Sequence, residues 1–247
     1  SPGVRIDTSR HTLASRPYAE MTRQLLGYRG YLWEEESTAV FIYRGKQQAL
    51  AGNREIEADW SAASYAYALL ALLPVGSSCT LSGLHLPSLQ GDAESLCQIF
   101  TTLGITTTEG SSGVYLTKQT EKATPFFRFS MHSCPDLVPS VVVALVGKGI
   151  PFCLEGVAHL RIKESDRLLA LKEELAKLGY DLLIENDALS WDGKRGSYIK
   201  GTLLSAHGDH RIAMALALLA LQEGSLQLDS PDVVSKSFPG YWEVLAH

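Results

Sequence analysis

Five short stretches of this 247-residue chain combine cations, carboxylates and hydroxyls. They are Ser15-Arg16-Pro17-Tyr18, Pro135-Asp136, Arg161-Ile162-Lys163-Glu164-Ser165-Asp166-Arg167, Gly208-Asp209-His210-Arg211 and Ser235-Lys236-Ser237. If Arg161, Lys163, Arg167, Arg211 and Lys236 meet in one cleft, they would hold small, multiply charged anions such as phosphates and carboxylates. Arg211 stands just inside an apolar helix, where a cation needs a partner, and reads as functional. Glu164 is held ionised by its neighbour Lys163. Several of these residues have plainer readings. Arg167 would pair with Asp166 or Glu174 on a helix surface. Asp209, Ser165 and Asp136 would cap helices, and His210 reads as structural. No metal-ligand spacing, Walker loop, dinucleotide glycine fingerprint or nucleophile elbow is present.

The elements that carry these residues repeat. Gly76 recurs as Gly149 and Gly83 as Gly156, an offset of 73 residues; Asp92 recurs as Asp166 and Gly104 as Gly179, at 74 and 75. A third copy begins near Leu219-Ala220-Leu221 and stops at the chain end. Each copy opens with a helix that lacks a polar face, at 61–73, 136–146 and 209–221, so each should be buried on all sides and closed by glycine. A short strand and an amphipathic helix follow. Leu168, Leu171, Leu175 and Leu178 face inward there, with Lys172, Glu173, Glu174 and Lys177 outward. Two strands end the unit. The first 54 residues read as strand, helix, strand, strand, with Pro17 in the first helical turn. That is the second half of a unit, which implies a chain cut from a longer protein.

Composition narrows the function classes. With 22 Lys+Arg against 27 Asp+Glu, the net charge of −5 argues against nucleic acid as the main partner. The length matches about one and a half domains. Cys79, Cys97, Cys134 and Cys153 are far apart and fit reduced thiols in a cytoplasmic protein. The start has no signal-peptide core, and the longest apolar run, 212–221, is too short to span a membrane.

The Arg161 to Arg167 stretch, the Gly208 to Met214 stretch, and Ser235-Lys236-Ser237-Phe238-Pro239 resemble signatures of the 5-enolpyruvylshikimate-3-phosphate synthase family, in the same order. Ser15-Arg16-Pro17-Tyr18 resembles its Ser-Lys-Pro-Tyr segment, and Pro135-Asp136 its Pro-Asp helix start. The resemblance implies an α/β (α+β), enolpyruvyl-transferase-like fold of two lobes. Each lobe would hold three βαβαββ units, with buried helices inside and sheets outside. Residues 1–54 would be the tail of the first lobe and 55–247 the second lobe, with units near 55–122, 123–198 and 199–247. The family's Lys-Ser…Arg segment, its Gly/Arg segment and its Ser-Ser-Gln motif are absent from this sequence.

The implied reaction transfers the enolpyruvyl group of phosphoenolpyruvate to the 5-hydroxyl of shikimate 3-phosphate, without cofactor or metal. By resemblance Asp136 is the base, and Glu164 and Lys236 are the proton-transfer groups. Arg167, Arg211 and Lys236 would contact phosphoenolpyruvate. Ser15, Tyr18, Asp136 and Lys163 would contact the shikimate substrate. His159 stands where some members carry a substrate-binding Asn, and no role transfers to it. The implied partners are these small anions and a first lobe of the same protein, not nucleic acid or membrane. The piece alone is expected to be inactive, and the face the first lobe would cover is expected to favour self-association. The alternatives are a UDP-N-acetylglucosamine enolpyruvyl transferase and a non-catalytic, anion- or partner-binding lobe.

Overall fold

A computed structural model describes residues 4–10, 15–47, 55–121 and 124–246. The chain begins with strand β1 (Val4–Asp7), helix α1 (Arg16–Tyr28), and strands β2 (Tyr31–Ser37) and β3 (Val40–Lys46). Then follow α2 (Trp60–Leu72), β4 (Ser78–Ser82), α3 (Asp92–Thr102), β5 (Ile105–Gly110) and β6 (Gly113–Lys118). The next run is β7 (Phe127–Ser130), α4 (Val138–Gly147), β8 (Phe152–Glu155), α5 (Arg167–Ala176), β9 (Leu183–Glu185) and β10 (Ala188–Trp191). The last is β11 (Leu203–Leu204), α6 (His210–Leu218), α7 (Ala220–Glu223), β12 (Gln227–Leu228) and α8 (Tyr241–Ala246).

One path recurs three times: a strand, a helix and a hairpin whose second strand returns beside the first. It gives sheet orders β1-β3-β2 and β4-β6-β5, and β8-β10-β9 within the four-stranded sheet β7-β8-β10-β9. A whole βαβαββ unit runs from β7 to β10, with β7 parallel to β8 and the other pairs antiparallel. In the preceding copy no strand forms at 55–59, and the Ala58 N–H donates to the Gly83 carbonyl at 2.8 Å instead. The repeat boundaries expected at 54–55 and 122–123 fall at or beside residues outside the described set.

Helices α2, α4 and α6 pack on one another. Their sequences explain it: α2 is mostly Ala, Leu and Tyr, and every residue of α4 except Gly147 is buried. Such helices find no stable surface position, so the sheets and amphipathic helices cover them. Asp59 caps α2 by accepting from the Ser61 N–H at 2.8 Å, and Asp209 caps α6 by accepting from the Arg211 N–H at 2.9 Å. Gly104 and Gly179 follow α3 and α5 in the left-handed region (φ 90° and 87°), where a Cβ would strike a carbonyl oxygen at 2.0 and 2.5 Å.

Four local expectations change. The first buried helix ends at Leu73 in extended conformation because Pro74 follows, rather than at Gly76. Thr38, expected to open a strand over Thr38–Tyr43, is in the turn between β2 and β3. The α4 helix starts at Val138, after a 3-10 turn at Pro135–Leu137. Glu174, expected outward on α5, is buried. Among the described residues no helix is long and apolar enough to cross a membrane.

Candidate active site

The joints between elements bring the charged motifs together. Asp136 comes from the 3-10 turn before α4, Lys163 and Glu164 from the end of a 3-10 turn at Ala158–Ile162, and Arg167 from the first position of α5. Asp209 and Arg211 come from the start of α6, and Lys236 ends a 3-10 turn at Pro231–Lys236.

Arg167 is the hub. It is 1% exposed and spends all three guanidinium nitrogens on carboxylates. Its Nε donates to Asp209 Oδ2 at 2.7 Å, Nη1 to Asp136 Oδ1 at 2.9 Å, and Nη2 to Glu164 Oε2 at 2.7 Å. Such planar, multiply bonded geometry is what a guanidinium offers and an ammonium does not. Arg211 Nη2 donates to Asp136 Oδ2 at 3.2 Å, Lys163 Nζ lies 3.5 Å from Asp136 Oδ1, and Lys236 Nζ donates to Glu164 Oε1 at 2.8 Å.

These contacts set the carboxyl chemistry. The Lys236 ammonium bonded to Glu164 outweighs partial burial and, with Arg167, pulls that carboxyl down to about 2. Burial pushes Asp136 upward, but Arg211, Lys163 and Arg167 together hold it below the usual carboxylate range. His210 is buried, which lowers its basicity, and Arg211 lowers it further; the ring belongs to the core. His159 is likewise lowered, by burial first and then by Lys163, and lies against His132 edge-on at 6.1 Å between ring centroids.

A second, drier cluster joins α1 to the rest. The Tyr18 hydroxyl donates to Asp92 Oδ2 at 2.7 Å and lies 3.0 Å from Ser61 Oγ, which donates to the same Asp92 oxygen at 2.6 Å. Asp92 is fully buried, its other oxygen has no partner among the described residues, and burial raises its carboxyl above the usual range. Beside it Gly91 packs on Pro17 so closely that a Cβ would fall 1.7 Å from the proline Cβ. Ser15 sits at the α1 N-cap in left-handed conformation (φ 57°), and its hydroxyl caps nothing, while its N–H donates to the His132 carbonyl at 3.1 Å.

The structure thus gathers Asp136, Lys163, Glu164, Arg167, Arg211 and Lys236, and places Tyr18 in the neighbouring cluster. It corrects four readings. Arg161 stays outside, 3.7 Å from Asp166. Arg167 pairs with neither Asp166 nor Glu174. Asp136 is no cap but an ion-pair centre, and Asp166, not Ser165, caps α5, accepting from the Leu169 N–H at 3.1 Å. The hydroxyl of Ser165 donates to Asp209 at 3.2 Å. Asp209 is both cap and Arg167 partner, a double role that the capping pattern alone hides. Asp92 and Ser61 belong to no motif of their own; the one hint in the sequence is the position of Asp92 at a strand-to-helix joint.

Residues 3–245 match the family described as EPSP synthase (3-phosphoshikimate 1-carboxyvinyltransferase). The 3-phosphoshikimate 1-carboxyvinyltransferase of Bacteroides fragilis is 38% identical over 236 residues, which are 94% of this chain and 56% of that protein. That of Syntrophobacter fumaroxidans is 35% identical over 231 residues, 94% of this chain and 53% of that protein. The chain therefore spans about half the length of the curated relatives it matches. A solved EPSP synthase structure from Acinetobacter baumannii shares the fold at TM-score 0.72 and 20% identity, covering 99% of this chain and 56% of its own.

Proposed function

The chain belongs to the EPSP synthase family, and from that premise we propose that it is the part of an enzyme that grips two anions. The enzyme moves the enolpyruvyl group of phosphoenolpyruvate onto the 5-hydroxyl of shikimate 3-phosphate and releases phosphate. The observation that carries this reading is the knot of Lys163, Arg167, Arg211 and Lys236 around Asp136, Glu164 and Asp209. Arg167, Arg211 and Lys236 of the knot bind phosphoenolpyruvate; Lys163 and Asp136 of the knot, with Ser15 and Tyr18 from the α1 end beside it, bind the shikimate.

Asp136 takes the hydroxyl proton as the oxygen bonds to the enol carbon, while Glu164 protonates the methylene carbon. The adduct then expels phosphate as a proton leaves the new methyl group, a transfer Lys236 shares with Glu164. The leaving group is already activated, so this reading routes no step through a cofactor. Glu164, held near 2 by Lys236, must first become protonatable. A bound phosphate achieves this by drawing Lys236 and Arg167 away and by adding a like charge nearby. A cytoplasmic location belongs to the same reading, and the four free cysteines fit a reducing compartment.

Phosphate release from phosphoenolpyruvate tests this in a protein of the curated relatives' length. Asp136→Asn and Glu164→Gln should each slow turnover on shikimate 3-phosphate about 10²–10⁴-fold. Turnover on UDP-N-acetylglucosamine, with none on shikimate 3-phosphate, would overturn the substrate assignment. This chain alone should release no phosphate above background, and a rate near that of the longer protein would refute that.

A further inference from the structure

Helix α5 buries a carboxylate on the side its sequence marks as outward. Glu174 lies two turns beyond Arg167, with its side chain 2% exposed. Lys177 Nζ donates to its two oxygens at 2.9 and 2.7 Å. The other partners come from a distant loop: the Ser205 N–H donates to Oε2 at 2.8 Å, and His207 Nε2 lies 2.8 Å from Oε1. That loop runs from β11 to Asp209. On its far side Asp229 accepts from the Ser205 hydroxyl at 2.7 Å and from the Ala206 N–H at 2.9 Å.

Two features show that the loop is held rather than merely resting there. His207 is in the left-handed region at φ 52°, which a non-glycine residue keeps only when its surroundings over-determine it. The same helix also bonds the other end of the loop, through Arg167 Nε to Asp209 Oδ2. One rigid helix therefore grips both ends of the segment that delivers Asp209 and Arg211.

We propose that Glu174 is a positioning residue of the active site: by holding Ser205 and His207 it sets where Asp209 stands, and with it the Arg167 guanidinium. The importance of that placement rests on the functional reading above. The test reads geometry rather than turnover, so the two fail separately. A carboxylate that served only to neutralise Lys177 would need neither loop bond.

Arg167 Nε–H, buried and bonded to Asp209, should give a slowly exchanging signal in the ¹⁵N spectrum of the chain. In Glu174→Ala we expect that exchange to quicken about tenfold, the scale of one lost hydrogen bond, with far-ultraviolet circular dichroism unchanged. Glu174→Gln keeps an acceptor for the Ser205 N–H and should restore most of the protection. Lys177→Ala removes the partner charge but not the loop bonds, and should leave the Arg167 signal as it is. Unchanged exchange in a folded Glu174→Ala, or equal quickening by Lys177→Ala, overturns the proposal. Should Glu174→Ala not fold, His207→Gly decides it. Glycine takes the left-handed conformation without strain and loses the bond to Glu174, so the Arg167 signal must quicken there or the proposal fails.

Discussion

The chain follows the same strand, helix and hairpin path through residues 4–46 and again through 152–191, yet the two runs differ in what covers them. Helix α1 buries no residue, and every residue of β1 is exposed. Helix α5 buries six residues, including Arg167 and Glu174. Both helices carry an apolar stripe, so the difference lies in their neighbours. Helix α5 lies against α6, one of the buried helices, whereas α1 packs on its own strand β2 and meets the rest at Tyr18 and Pro17. The path is therefore encoded locally, and its stability is supplied from outside.

The largest expected effect tests the buried side of that contrast. Arg167→Met leaves fully buried Asp209 without its cation and should cost about 3–5 kcal/mol in urea unfolding; Arg167→Lys should recover little of it, because an ammonium cannot bond three carboxylates from one plane. A wild-type midpoint in Arg167→Met would mean that the charge network does not hold α5. Next comes a matched pair. Leu171→Ala on α5, at 0% exposure, should cost about 2–5 kcal/mol. Leu25→Ala on α1, 42% exposed, should cost under about 0.5 kcal/mol. Equal losses would erase the contrast. Tyr18→Phe should cost about 1 kcal/mol, seen as faster amide exchange confined to α1.

The smallest effect is a pair of opposite pH signatures. Glu164 is lowered from 4.5 to about 2, so its contribution is full above its unfolded value and fades as the pH falls toward 2. Asp92 is raised by burial, so its contribution is full below its unfolded value and is lost as the pH rises through the folded one. Amide exchange across an acid-to-neutral series should show α5 loosening in acid and α1 loosening toward neutrality. Glu164→Gln should flatten the first trend and Asp92→Asn the second. The same trend in both helices would contradict the assignment of the two clusters.

Much of this was legible in the sequence. Offsets near 73 residues marked the repeat because buried helices and glycine stops recur with it. Asp136, Glu164, Arg167, Arg211 and Lys236 were legible as a group because each stands at a joint between elements, where the charged motifs collect. The burial of Glu174 was not. A charged residue at an outward helical position reads as solvated, and the loop that covers it comes from 31 residues away. The Tyr18–Asp92 bond spans 74 residues between hydroxyl and carboxylate, and no periodicity announces such a pairing.

On the proposed function, the knot around Arg167 would also decide which anions the site prefers. Its cations already hold carboxylates, so an incoming anion would bind by ion exchange rather than by filling bare charge. A monoanion such as chloride replaces one carboxylate contact with another of the same valence and gains little. A phosphorylated acid brings several charges on one rigid frame, and it can displace two carboxylates while remaining a single particle. On that reading Asp136, Glu164 and Asp209 would make the site a discriminator by valence, deaf to the salts that surround it.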